Sequence, residues 1–179
     1  MPALASLQID KLTTATRQAA VGCSQIFSKW AKQKVEVRMD RLESVRFEDV
    51  VPSLGPIDPV SFGLVLGLSG DITGALLFLM REEAGYGLVD TLMNRDMGTT
   101  KSLGAMERSA LLETGNIVGT SYVNALVHAL GVDRIIPGPP TLVHDLTQSI
   151  VASVVMQQSE TQNEALLAHL EFTDRKSVV

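Results

Sequence analysis

The sequence predicts a mixed α+β chain in which long helices pack on a largely antiparallel sheet. Three observations carry this. Two long windows, residues 6–34 and 103–130, repeat apolar side chains at steps of three and four. Short runs rich in Val, Leu, Ile and Phe follow them, separated by turn residues. The order helix, strands, helix, helix, loop, strands divides one domain, 1–179, into two pseudo-repeated halves, 6–95 and 103–173.

In the first window Leu12, Ala15, Ala19, Cys23, Ile26 and Trp30 form one helix face. "VEVRMDRLESVRFEDV" then changes to β-type residues with partial alternation, and "VPSLGPIDP" is a proline-rich loop. "SFGLVLGL" and "TGALLFLM" read as two strands joined by the turn "SGDI". "REEAGYGLVDTLMN" reads as a shorter helix weakened by Gly85 and Gly87, and "RDMGTTKS" as a polar connector. The second long helix follows, with Gly131 placed to end it. "IIPGPPT" reads as a rigid loop, and "LVHDLTQSIVA" as either a short helix or an extended piece. "SVVMQQ" and "ALLAHLEF" read as a closing hairpin, with Leu166, Ala168, Leu170 and Phe172 on one face.

Bulk composition excludes several classes. Hydrophobic residues make up 45% and charged residues 20%, a globular rather than disordered balance. The net charge of −5, without a long Lys/Arg cluster, argues against nucleic acid as a partner. The single cysteine, Cys23, fits a reducing cytoplasm. "MPALASLQIDKL" lacks the pattern of a signal peptide. The most apolar region is broken by Ser69, Gly70, Asp71 and Thr73, short of the ~18 apolar residues of a membrane span. A cytoplasmic protein is expected.

The second long helix is the informative element. At ~100° per residue, Leu111, Gly115, Val118, Tyr122, Ala125 and Ala129 share an apolar sector, and Gly115 permits close approach. Ser109, Glu113, Asn116, Thr120 and Asn124 share a separate polar sector. A solvated helix face usually carries Lys, Glu, Arg and Gln, which are good helix formers. Two asparagines in mid-helix instead suggest a recognition or water-positioning surface on a rigid support.

At these residues the chain resembles the CheC, CheX and FliY family of chemotaxis phosphatases. The family motif is Asp or Ser, three residues, Glu, two residues, Asn, twenty-two residues and Pro. Here it reads Ser109, Glu113, Asn116 and Pro139 with every spacing kept. "ETGNIVGTSYVNAL", "SGDITGALLFLM" and "PPTLVHDL" resemble the surrounding signatures, so the resemblance runs from about residue 8 to 172. It implies a CheC-like fold and hydrolysis of the aspartyl phosphate of a CheY-like response regulator. It further implies that Asn116 orients the attacking water and Glu113 pairs with the regulator's lysine. Ser109 and Thr120 are expected to support or contact the partner, and Pro139 to shape the neighbouring loop. No cofactor of its own is implied; Mg²⁺ is expected on the phosphorylated regulator.

The family often repeats the motif on the first helix. The corresponding positions are Asp10, Thr14, Arg17 and Asp40, so only the acidic residue is kept and the first site reads as degenerate. Family chains commonly continue with another strand and helix, so a shorter variant or a missing tail is expected. The alternative function is a CheC-like adaptor that binds a response regulator, a CheD-like deamidase or flagellar switch proteins with little turnover. The Arg17 helix is open as a docking surface, and a homodimer stands beside a monomer.

Other chemistry finds little support. His128, His144 and His169 have no metal-ligand spacing with one another or with Cys23. "GLVLGLSG" lacks the Lys-Ser/Thr of a phosphate loop, and no Gly-x-Ser-x-Gly elbow is present. Met80, Met93, Met97, Met106 and Trp30 are expected in the core or the connector.

Overall fold

A computed structural model describes residues 6–54, 60–160 and 163–174. Helix α1, Ser6–Ala31, leads into strand β1, Val35–Arg46. A 3-10 turn, Phe47–Asp49, and a single helical turn, α2 at Val50–Ser53, follow. Strands β2, Val60–Gly70, and β3, Gly74–Arg81, precede α3, Glu82–Leu92. The second half holds α4, Ala105–Leu130; β4, Ile135–Pro137; β5, Thr141–Leu146; α5, Thr147–Gln158; and β6, Glu164–Asp174. All strand pairs are antiparallel, so the fold is the expected mixed α+β arrangement.

The two long helices pack antiparallel. Leu12 and Ala15 of α1 share a buried cluster with Val123 and Leu126 of α4, whereas Phe27 and Ala31 share one with Val118. The apolar stripe read on α1 is buried at Leu12, Ala15, Ala19 and Cys23, but Ile26 is exposed and Phe27 takes its place in the core. On β2 the alternation Phe62, Leu64, Leu66 is fully buried; Phe62 and Leu64 meet Leu111 of α4 and Val89 of α3. At Gly85 of α3 a side chain would collide with the ring of Phe62. The missing Cβ is what lets α3 lie on β2.

Strands pair between the halves. β2 has β3 on one side, from Ser61↔Arg81 to Leu68↔Gly74, and β5 and β4 on the other. β1 pairs with β6 along its length, with a bulge at Asp40 between Met39 and Arg41. The other edge of β1 is met by side chains of α1. The Ser28 hydroxyl accepts from Val35 N–H and donates to its carbonyl, both at 2.9 Å; Ser24 accepts from Val37 N–H at 2.8 Å and shares its own proton between the carbonyls of Ala20 (2.8 Å) and Val37 (3.2 Å). A helix thus closes a strand edge that would otherwise invite pairing.

Among the described residues, β3 and β6 each leave one edge unpaired. An apolar cavity of about 530 Å³ lies between them, lined also by Leu12, Tyr122, Leu126, Val50, Val151 and Val155.

Several local expectations are corrected. "SVVMQQ" is the end of α5, not a strand, and there is no closing hairpin: β6 pairs with β1. The β-branched Ile150, Val151, Val154 and Val155 are spaced as one helical face, a pattern hidden when only six residues are read. "IIPGPPT" is not all loop. Ile135–Pro137 and Thr141 pair with β2, leaving residues 138–140 between strands. "LVHDLTQSIVA" is both alternatives in succession, β5 and then α5. "VPSLGPIDP" begins with the helical turn of α2, and residues 55–59 fall outside the described part. The Phe172 side chain also falls outside it.

Candidate active site

The site is built on α4, whose start is fixed by a buried carboxylate. Asp90, at the end of α3, is fully buried. Its two oxygens accept from the backbone N–H groups of Thr99 and Thr100, each at 3.0 Å, and from the Thr100 hydroxyl at 2.6 Å. The connector from α3 to α4 is thereby folded onto α3. Arg95 extends the network, donating to Thr100 Oγ1 at 3.2 Å and to Glu107 Oε1 at 2.8 Å. A hydrogen bond from its own backbone N–H, then Arg95, holds the Glu107 carboxyl below its ordinary range. A buried carboxylate is tolerated because its acceptor sites are filled. Its consequence here is a first turn of α4 that cannot fray freely. The far end is closed by Gly131 in the left-handed conformation (φ 65°), its N–H on the Val127 carbonyl at 3.1 Å.

Between these ends, α4 lies unusually close to β2. A Cβ on Gly119 would fall 2.6 Å from Leu66 Cδ2, and one on Gly115 would meet both Leu64 and Pro140. Leu111 and Val118 complete the buried side, while Tyr122, Ala125 and Ala129 are half-buried. Burial raises the pKa of the Tyr122 hydroxyl and of the Cys23 thiol, so both are held neutral between the long helices.

Ser109, Glu113, Asn116, Thr120 and Asn124 are all exposed, in one line along α4. Among the described residues, Glu113 and Asn116 make no side-chain hydrogen bond or ion pair. Their carboxylate and carboxamide are therefore uncommitted on a rigid support. Pro139 is exposed on the loop between β4 and β5. Its loop is fixed from two sides: Gly138 N–H donates to the Gly67 carbonyl at 2.8 Å, and Pro140 rests against Gly115. Asp71 steadies the approach to β4, accepting from the N–H groups of Asp133 and Arg134 at 2.9 Å.

The first-helix positions have a different setting. Asp10, Thr14 and Arg17 are exposed along α1, but the Thr14 hydroxyl is turned back to the Asp10 carbonyl at 3.0 Å. Asp40 sits in the bulge of a continuous strand, where the second half breaks into β4, loop and β5.

Among the described residues, no three His, Cys, Asp or Glu side chains are grouped to hold a metal ion. His144 stacks on Phe62 at 4.3 Å between centroids and meets Glu82 at 2.8 Å. His169 lies by Arg41 and Glu43, and His128 is exposed. Among the described residues, no helix is long and apolar enough to cross a membrane.

The CheC-like family model matches residues 106–144, the segment that holds α4, the proline loop and most of β5. The chain is 22% identical over 170 residues to the CheY-P phosphatase CheC of Bacillus subtilis (strain 168), covering 94% of this chain and 81% of that protein. Thermotoga maritima FliY has the same fold, with a TM-score of 0.74 at 13% identity over 97% of this chain and 86% of its own. The chain is thus similar to proteins of the CheC/CheX/FliY family. FliM in the FliG–FliM complex of H. pylori shares the fold of this chain too, with a TM-score of 0.64, 15% identity and coverage of 95% and 87%. The fold therefore occurs in FliM as well as in FliY.

Two features of this chain leave no signal in its sequence, and a third leaves one that is easily passed over. The Asp90 anchor is invisible because its partners lie in a connector that reads only as polar. The seat of Pro140 on Gly115 joins segments far apart in sequence. Met106, expected in the core or connector, is in fact 68% exposed on the first turn of α4. Its signal is legible, because it precedes Ser109 by one helical step on the polar line. Met97 is likewise exposed, whereas Met80, Met93 and Trp30 pack against the core as expected.

Proposed function

We propose that this chain hydrolyses the aspartyl phosphate of a CheY-like response regulator at a single site, the exposed line of α4. The observation that carries the reading is the pair Glu113 and Asn116. Both are exposed and uncommitted, one helical step apart on the same face.

Phosphoryl transfer asks mainly for positioning and for neutralisation of charge on the phosphoryl oxygens. The regulator brings the phosphoryl group, its Mg²⁺ and a lysine. This chain supplies what remains. Glu113 pairs with the regulator's lysine and sets the helix against the regulator. Asn116 enters the regulator's site and holds the attacking water by a hydrogen bond. A carboxamide suits this role, since it donates and accepts while carrying no charge to repel phosphate. Ser109 and Thr120 flank the contact, and Pro139 shapes its rim. The site acts on a cytoplasmic partner and needs no metal of its own. The B. subtilis relative, named as a CheY-P phosphatase, supports the reading.

The second reading is an adaptor that binds a regulator, a CheD-like deamidase or the flagellar switch with little turnover. The FliM fold and the altered residues Thr14 and Arg17 favour it. Phosphate release from a phosphorylated regulator separates the two. Turnover that depends on Asn116 supports the phosphatase, and tight binding without turnover supports the adaptor.

A further inference from the structure

Met106 is among the most exposed large apolar side chains of the described residues, at 68%, and it stands on the functional face of α4. At ~100° per residue it shares one sector with Ser109, Glu113, Asn116 and Thr120, and at ~1.5 Å per residue it lies about 10 Å before Glu113. Every other member of that line is polar. We infer that Met106 is a docking anchor for the regulator, an apolar contact that extends the polar site toward the start of α4. The inference rests on the proposed site and adds a specificity-determining residue to it.

Three observations carry the inference. The position is rigid, because the same first turn is tied by Arg95 to Glu107 and, through Thr100, to buried Asp90. A side chain presented on a fixed backbone loses little further freedom on binding. The residue type is suitable, since an unbranched thioether adapts to a partner surface and gains from being buried there. The position is continuous with Glu113 and Asn116, so a partner seated on those residues covers it. Contact energy at such interfaces concentrates in a few buried anchors, with polar groups setting register around them. The chemistry expected of the occupant is a receiver domain with an apolar depression about one and a half to two helical turns from its active-site lysine.

The test is binding of a CheY-like regulator activated with beryllofluoride, a phosphoryl mimic that is not turned over, to the native chain and to variants. Met106→Ala is expected to weaken binding about tenfold, as burial of most of such a side chain implies. Met106→Leu is expected to restore it. Val21→Ala, which shortens another exposed apolar residue (58%) on α1, is expected to change nothing. In turnover assays Met106→Ala should raise KM with kcat within about twofold. Equal binding by native protein and Met106→Ala overturns the inference, as does native protein that binds no activated regulator. Met106-dependent binding without phosphate release keeps the anchor and overturns the phosphatase reading alone.

Discussion

Pro140 rests on Gly115: a Cβ built on that glycine would come within 3.1 Å of the proline Cβ and 3.4 Å of Leu64. One missing methyl group thus seats the proline loop against the helix residue next to Asn116. Gly115→Val is expected to cost about 1–3 kcal/mol by overpacking and to displace the loop. Thermal unfolding and turnover should both fall. An unchanged melting temperature would mean that the loop yields without strain and that the seat is unimportant.

Glu113→Ala removes a carboxylate that nothing in the described chain engages. Stability should be within about 0.5 kcal/mol of native, as for a surface change. Loss of a charge-assisted contact should weaken regulator binding about tenfold or more. Titration of activated regulator against the two proteins measures it. Equal affinities would remove Glu113 from the interface.

Arg17→Ala and Thr14→Ala probe the first helix. A single working site predicts turnover within about twofold of native for both, because neither residue touches α4's exposed line and surface substitutions are mild. A drop comparable with that of an α4 variant would reveal a second functional face on α1.

Asp90→Ala strips the connector of its acceptor and leaves the buried Thr100 N–H unsatisfied, while the exposed Thr99 N–H keeps the Asp96 carbonyl. A loss of about 2–4 kcal/mol is expected from denaturant unfolding. The start of α4 should also exchange its amides faster, since the tie through Thr100 and Arg95 to Glu107 is released. Native-like exchange there would show that α4 is ordered independently of the connector.

The long elements are legible in the sequence because their signals are local and repeated. Leu12 to Trp30 and Leu111 to Ala129 mark helices by spacing alone, and the turn at Asp71 separates two evident strands. The polar line from Ser109 to Asn124 is legible for the same reason, one face of one helix. Elements shorter than the pattern are not. Val154 and Val155 look like strand residues until Ile150 and Val151 are read with them, and Pro137 conceals a strand whose register comes from β2. Contacts between distant segments leave no trace in the sequence. Nothing near Asp90 announces that it holds the N–H groups of Thr99 and Thr100. Nothing near Gly115 announces Pro140. Ser24 and Ser28 read as ordinary helix residues, though they close the edge of β1.

The central claim rests on Asn116, and phosphate release tests it most directly. A phosphorylated CheY-like regulator with Mg²⁺ is mixed with the native chain or with Asn116→Ala, and release is followed against the regulator's own rate. Folding should be unaffected, since Ala is a better helix former than Asn at an exposed position. Loss of one preorganised hydrogen-bonding group predicts a fall of about 10²–10³ in kcat. Release by Asn116→Ala as fast as by the native chain would contradict the assignment of the site.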